Sequence, residues 1–237
     1  MSDIRFQIVR STDDSSFIQE YRLPFQARKT IVWWLTTIQE ELDSTLSFPV
    51  SCRAGLCGGC GLVINNKSVL ACETMLEDVL GKDEAIVTIK PLQGFPVIRD
   101  LLVDWRTAGE HMRQVIPGDP SKQACDIRKE SRLQPEVCRS LLSFGSCITC
   151  GLCVSECPAM RSGLFIEPYI FVKCWKLRVD SRVGEEYKQA IARNLQPYIP
   201  HCLKCGKCKA VCPRGLSPED IIGQMETDYN QEMEVLP

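Results

Sequence analysis

Twelve of the fifteen cysteines in this 237-residue chain fall into three tight groups, and their spacing already limits the chemistry. The first group is Cys52, Cys57, Cys60 and Cys72, which reads C-x4-C-x2-C with a fourth cysteine after eleven further residues. That is the spacing of plant-type [2Fe–2S] centres, in which thiolates hold iron in tetrahedral fields. Gly55, Gly58, Gly59 and Gly61 lie within the run. Glycine tolerates positive φ, so such a loop can wrap a cluster and turn backbone N–H groups toward its sulfurs. These donors stabilise the negative cluster and tune its potential.

The second group is Cys147, Cys150, Cys153 and Cys157, and the third is Cys202, Cys205, Cys208 and Cys212. Each reads C-x2-C-x2-C-x3-C-P, ending at Pro158 and Pro213. This is the bacterial two-cluster run, in which the fourth cysteine of each copy ligates the other cluster. The expected ligand sets therefore cross. Cys147, Cys150, Cys153 and Cys212 would hold one [4Fe–4S] cluster. Cys157, Cys202, Cys205 and Cys208 would hold the other. Structural zinc also uses C-x2-C pairs, but zinc ribbons separate their pairs and do not repeat three cysteines at x2 followed by x3 and proline. Iron and acid-labile sulfide, measured against zinc, distinguish the two.

An odd cysteine count excludes complete disulfide pairing, and a chain of this length can bury a core without staples. The N-terminus carries no secretory or twin-arginine signal, and no run approaches the length of a membrane span. The longest apolar stretch, Leu164 to Val172, is broken by Glu167 and Pro168. These features predict a reducing cytoplasmic setting, where clustered thiols bind metal. A net charge of −2 argues against nucleic acid as a partner.

The elements that must position the cysteines change character along the chain. Ile4, Phe6 and Ile8 alternate with Arg5, Gln7 and Val9, and Phe17 to Leu23 continues as a second extended run. Asp13-Asp14-Ser15-Ser16 between them is turn-like. Thr30 to Leu42 switches to helical period, with Ile31, Trp34, Leu35, Ile38 and Leu42 on one face. Leu62–Ile64, Asn65-Asn66 and Val69–Cys72 read as a hairpin, and Ala85 to Lys90 as a last strand. Two strands, a helix and further short strands are the order of a β-grasp ferredoxin. Val97 to Trp105 is expected as an apolar connection with Arg99, Asp100 and Asp104 on its polar side. Gly118-Asp119-Pro120-Ser121 is expected as loop, and helices should alternate with cysteines from Pro135 onward. Ser217, Pro218, Glu219 and Asp220 make a clear start for the last helix. The expectation is an α+β chain: a β-grasp [2Fe–2S] domain over residues 1–104 and an all-α two-cluster domain over 105–237. The boundary should fall between about Asp100 and Ala108.

Two stretches carry a specific resemblance. Glu41 to Phe48 (ELDSTLSF) and Ser51 to Cys60 (SCRAGLCGGC) closely resemble the iron–sulfur subunit of succinate dehydrogenase and fumarate reductase. Val97-Ile98-Arg99-Asp100-Leu101 is similar to that family's interdomain segment, and both later cysteine runs match its C-terminal domain in order and separation. The resemblance implies a partner flavoprotein that carries FAD and interconverts succinate and fumarate. It also implies one [2Fe–2S] and two further clusters in a line, conducting electrons between the flavin and a second subunit.

Two departures refine it. Many members have an apolar residue at the second position of the third run and hold a [3Fe–4S] centre; here that position is Cys205, which allows a complete [4Fe–4S]. This should lower the centre's potential, while Lys204, Lys207, Lys209 and Arg214 would oppose the change. Membrane-anchored members also border quinone with Ser and Trp after the second run and His within the third. This chain has Pro158-Ala159-Met160-Arg161-Ser162 and Leu203 there. The pair of departures resembles a subclass whose membrane anchor is replaced by a cysteine-rich, heterodisulfide-reductase-like subunit, as in thiol-dependent and methylmenaquinol-type fumarate reductases. The third subunit would be of that kind or a membrane anchor. The complex would be cytoplasmic or peripheral on the cytoplasmic face of the membrane.

Cys125, Cys138 and Cys174 have no ligand spacing and read as small buried hydrophobes. His201 could influence the third centre or be structural, and His111 shows no pattern. Trp33 and Trp34 read as core, and Arg53 as a candidate to face the flavoprotein. With no dinucleotide fingerprint and no placed carboxylate pair, catalytic residues are not expected in this chain. Substrate chemistry would lie with the partner's flavin. The alternatives are the iron–sulfur subunit of another flavin dehydrogenase or a free ferredoxin. A sizeable second domain weighs against the free carrier.

Overall fold

The computed structural model describes residues 3–11, 15–81, 85–118 and 132–234. The turn expected at Asp13-Asp14, the loop at Asp119-Pro120-Ser121 and Cys125 lie outside these residues. The chain forms two compact units: Met1–Trp105 with Ile148–Glu156, and Arg106–Cys147 with Cys157–Pro237.

The first unit is a five-stranded sheet in the order β2-β1-β5-β3-β4, built from β1 (Asp3–Ser11), β2 (Ser16–Pro24), β3 (Gly61–Ile64), β4 (Lys67–Leu70) and β5 (Ile86–Lys90). β1 pairs antiparallel with β2 and parallel with β5, and β3 pairs antiparallel with both β4 and β5. Alternation on β1 buries Ile4, Phe6 and Ile8 on one face. Asn65 and Asn66 both take left-handed φ, 46° and 63°, which a two-residue hairpin turn demands.

Helix α1 (Ile31–Thr37) covers the sheet. Thr30 Oγ1 caps it by accepting the Trp33 N–H at 3.3 Å. Ile31, Trp34, Leu35 and Ile38 are buried, and the Trp34 ring packs on Phe6 at 5.3 Å. Leu42 departs from the expected face and is 51% exposed. The reason is a π-helical last turn, Ile38–Leu42, closed by the Asp43 N–H on the Ile38 carbonyl at 2.8 Å. An i→i+5 turn rotates Leu42 off the apolar stripe.

The stretch after Phe95 also differs from its reading as a plain connection. It is a small antiparallel hairpin of β6 (Val97–Arg99) and β7 (Leu102–Val103), with Asp100 at φ 50° between them. Asp100 is fully buried rather than polar surface. Its carboxylate accepts the backbone N–H groups of Ser11 and Ser47, both at 2.9 Å, and lies 3.1 Å from Arg10 Nε. Arg10, also buried, donates to Asp43 and Tyr21 and to Thr45 Oγ1. A buried charge persists only when paired, and each member of this network has a partner. The network fixes the segment Asp43–Ser47, which leads into the first cysteine group.

The segment Ile148–Glu156 belongs to this first unit although it lies far along the chain. Ser155 Oγ accepts the Gln93 N–H at 3.0 Å and bonds Ser68 Oγ at 2.8 Å, and Glu156 accepts the Ser68 N–H at 2.8 Å. Leu152 and Val154 are buried. Gly151 lies against Phe95 and Trp105, whose rings are 4.5 Å apart; a Cβ there would sit 2.7 Å from the Trp105 ring.

The second unit is helical: α2 (Arg106–Val115), α3 (Pro135–Gly145), α4 (Pro168–Val179), α5 (Glu185–Leu195) and α6 (Pro218–Glu234). α4 is its centre and packs on α3, α5 and α6. The apolar stretch noted in the sequence becomes this core, with Phe165, Ile166, Tyr169, Ile170, Phe171 and Val172 all buried. Glu167, which interrupts it, is buried and bonds His111 Nδ1 at 3.0 Å. Arg178 on α4 pairs with Asp228 on α6 at 3.0 Å. Among the described residues no helix is long and apolar enough to cross a membrane.

Candidate functional site

Cys52, Cys57 and Cys60 of the first group sit on a loop without regular structure, between the Asp43–Ser47 segment and β3, and Cys72 follows β4. Arg53, Gly55 and Gly58 take φ of 56°, 67° and 74°. These left-handed steps turn amides toward sulfur. Cys52 Sγ accepts N–H groups from Ala54 at 3.5 Å and Cys57 at 3.3 Å, Cys57 Sγ accepts Gly59 N–H at 3.4 Å, and Cys72 Sγ accepts Gly55 N–H at 3.1 Å. The Ala54 N–H, the Cys57 side chain and the Cys57 N–H pull the Cys52 thiol down to about 7. Burial pushes the Cys60 thiol up to about 12. Cys52 and Cys57 are exposed, whereas Cys60, which leads into β3, and Cys72, which follows β4, are buried. The site thus has an open rim and a closed base.

Two glycines of the loop have specific neighbours. A Cβ on Gly55 would lie 2.0 Å from the Glu73 carboxylate. A Cβ on Gly58 would lie 2.7 Å from the Ile148 carbonyl oxygen and 2.9 Å from Cys150 Cβ. Within the first unit, therefore, the first cysteine loop touches the second cysteine run directly.

The second and third runs share one local conformation. The residue before the middle cysteine is left-handed in both: Thr149 at φ 55° and Lys204 at φ 49°. The glycine after it is left-handed too, Gly151 at 77° and Gly206 at 72°. Each glycine opens a single helical turn, Leu152–Ser155 and Lys207–Ala210. Cys150 and Cys153 lie in the first unit, and Cys147 and Cys212 in the second. The Cys147 carbonyl accepts Lys173 Nζ at 2.8 Å, and Cys212 Sγ accepts the Leu216 N–H at 3.3 Å.

Cys157, Cys202, Cys205 and Cys208 line one cavity within the second unit, together with Phe165, Leu203 and Glu219. Burial raises the Cys157 and Cys202 thiols and pushes Cys208 up to about 11. Cys205 is exposed. The neighbouring lysines are less free than the sequence implied. Lys204 pairs with Glu226 at 2.7 Å and Lys209 with Asp220 at 3.2 Å, both acids on α6.

This donor set fits iron–sulfur clusters. It is all sulfur, its buried thiols need a cationic partner to ionise, and amides point at the sulfurs that would be ligands. Family models agree: that for the 2Fe-2S iron–sulfur cluster binding domain matches residues 4–110, and that for the 4Fe-4S dicluster domain matches residues 143–216. The chain is 31% identical to the 8-methylmenaquinol:fumarate reductase iron–sulfur subunit of Wolinella succinogenes, covering 94% of this chain and 71% of that protein. It is 32% identical to the succinate dehydrogenase iron–sulfur subunit of Coxiella burnetii, covering 97% and 98%. The chain belongs to the fumarate reductase and succinate dehydrogenase iron–sulfur subunit family. A chain of the Mycobacterium smegmatis Sdh1 complex in the apo form superposes with a TM-score of 0.86 at 25% identity, covering 98% of this chain and 97% of that one. The α+β reading, a sheet-based [2Fe–2S] domain and a helical [4Fe–4S] domain, is borne out. As a member of this family, the chain is an iron–sulfur electron-transfer subunit of an oxidoreductase.

The remaining candidates divide. Cys174 is buried at 0% exposure as expected, and burial raises its thiol to about 12. Cys138 is not buried: α3 turns Leu141 inward and leaves Cys138 on its exposed side. Trp34 is core, while Trp33 is half-buried beneath the Lys29 ammonium at 4.5 Å. His201 is half-buried at the end of the 3₁₀ segment Gln196–His201, and Arg53 is exposed on the rim of the first loop. Sequence reasoning missed Glu73, Lys173 and the inward placement of Glu219. None lies within a motif, and each reaches its site only through tertiary packing.

Proposed function

We propose that this subunit conducts electrons one at a time between the FAD of a partner flavoprotein and a second subunit, in a complex that interconverts fumarate and succinate. Cys52, Cys57, Cys60 and Cys72 hold the [2Fe–2S] cluster. Cys147, Cys150, Cys153 and Cys212 hold a first [4Fe–4S] cluster, on the crossed spacing of the two runs. Cys157, Cys202, Cys205 and Cys208 hold a second [4Fe–4S]. When bound, the clusters supply reversible one-electron chemistry at low reorganisation cost. The chain's residues shape that chemistry. Amides of Ala54, Gly55, Cys57 and Gly59 donate to ligand sulfurs, Lys173 orients Cys147 through its carbonyl, and the Gly58 contact keeps the first loop against Cys150. The exposed rim with Cys52, Arg53, Leu56 and Cys57 suits docking of the flavoprotein. In this reading domain 1–104 faces the flavin and domain 105–237 the second subunit.

The observation that carries the finer reading is the fourth thiol, Cys205, in one cavity with Cys157, Cys202 and Cys208. Four thiolates complete a cubane cluster, which favours a lower potential than a [3Fe–4S] centre. That supports fumarate reduction with a low-potential donor. Leu203 and Pro158 in the positions where quinone-linked members differ support a cysteine-rich third subunit. The complex then sits in the cytoplasm or on the cytoplasmic face of the membrane. Anaerobic EPR of the oxidised complex tests the cluster type. A silent third centre that becomes paramagnetic on reduction is expected, and a strong [3Fe–4S] signal that survives strict anaerobiosis overturns it. Co-purification of a flavoprotein with fumarate turnover tests the assembly.

A further inference from the structure

Two of the charges beside the cysteines of the third run are tied into ion pairs, and a carboxylate lines their cavity. Lys204 and Lys209, which flank Cys205 and Cys208 in sequence, are tied to Glu226 and Asp220 on α6. Glu219, one residue before Asp220, instead lines the cavity with Cys157, Cys202, Cys205 and Cys208. Its Oε2 is 3.6 Å from the position a Cβ on Gly206 would occupy, in the third run. Ile222, one turn further along α6, lines the same cavity, so the start of α6 is seated on the site. A carboxylate in that wall disfavours an added electron, because reduction of a cluster by one electron adds one unit of negative charge.

We infer that Glu219 is a positioning residue for electron transfer, whose carboxylate in the wall of the cavity lined by Cys157, Cys202, Cys205 and Cys208 holds that centre's reduction potential down. The inference rests on the reading that these four cysteines hold a cluster. The N-terminus of α6 favours negative charge at the site, and the Glu219 carboxylate offsets it. The chain thereby tunes its last centre with a side chain outside every ligand motif. The consequence is selectivity for the electron's route: a lowered last centre releases its electron readily to an acceptor beyond the chain and receives one only from a low-potential donor.

Glu219→Gln removes the charge and keeps the helix and the side-chain size. In the anaerobically purified complex, redox titration followed by EPR should show the third centre shifted to higher potential, with the other two centres unmoved. Asp220→Asn, which deletes a charge exposed and paired to Lys209, should shift it much less. An unmoved third centre, or equal shifts in the two variants, overturns the proposal. If Glu219→Gln fails to load the cluster, Glu219→Asp and Glu219→Ala are titrated instead; the pair must split by charge, and equal potentials overturn it. If the wild-type complex contains only two clusters by iron count and EPR, the four-cysteine reading itself falls. Three titrating centres with no response to Glu219→Gln defeat only the role of Glu219.

Discussion

Gly58→Ala isolates the contact between the first cysteine loop and the second run. Two costs combine. The residue sits at φ 74°, where an L side chain costs about 1–2 kcal/mol. The new Cβ would meet the Ile148 carbonyl oxygen at 2.7 Å and Cys150 Cβ at 2.9 Å. Neither neighbour is the far end of a flexible side chain, so the loops must separate, and such overpacking costs about 1–3 kcal/mol. The expected loss is about 2–5 kcal/mol. Gly163→Ala is the control: its φ is 70°, but nothing lies within 4 Å of the added Cβ, so only the first cost applies. Urea unfolding of the anaerobic complex, followed through the visible absorbance of the [2Fe–2S] centre, gives the apparent difference. EPR adds a second readout, because loops pushed apart weaken magnetic interaction between the reduced first and second centres. If Gly58→Ala costs no more than Gly163→Ala and leaves that interaction unchanged, the contact does not hold the loops together.

Three further outcomes are expected. Asp100→Ala leaves the Ser11 and Ser47 amides and part of the Arg10 charge unsatisfied inside the first unit, and should cost about 3–5 kcal/mol in the same unfolding assay; a loss under about 1 kcal/mol refutes the buried network as the anchor of the loop. Bonds from the Thr45 hydroxyl, then Tyr21 and Arg10, hold the Asp43 carboxyl below the ordinary carboxylate range. Its contribution is therefore present above that range and lost as pH falls through the depressed value; pH-dependent unfolding of wild type should steepen below about pH 4, and Asp43→Asn should flatten that limb. In the cluster-loaded protein, brief alkylation near neutral pH should label Cys138 and spare Cys174, whose thiol burial holds at about 12; mass spectrometry showing equal labelling contradicts the packing of α4.

The cysteine chemistry was legible because it is local: ligand spacing, glycines and closing prolines lie within a dozen residues of one another. The strands and α1 were legible for the same reason, since burial follows the alternation of Ile4, Phe6 and Ile8 and the helical period of Ile31, Trp34 and Leu35. What the sequence concealed depends on contacts between distant segments. Leu42 kept the helical period but left the face when the last turn widened. Asp100 looked like surface until Arg10, Ser11 and Ser47 enclosed it. The lysines of the third run looked like free charges acting on the third centre until the acids of α6 were paired with two of them.

The inclusion of Ile148–Glu156 in the first unit also sets a timetable for biogenesis. On the ribosome the chain emerges N-terminus first, so the sheet and its cysteine loop are out before the segment that packs on Ser68 and Gln93 exists. At typical synthesis rates of about 5–20 residues per second, the roughly forty residues between the two parts take about 2–8 s to appear. During that interval Gly58 and Gly61 face solvent where Cys150 will later sit. A cluster assembled in the first loop during that interval would form in an unfinished domain, with the inner side of the loop accessible until the second run arrives and closes over it.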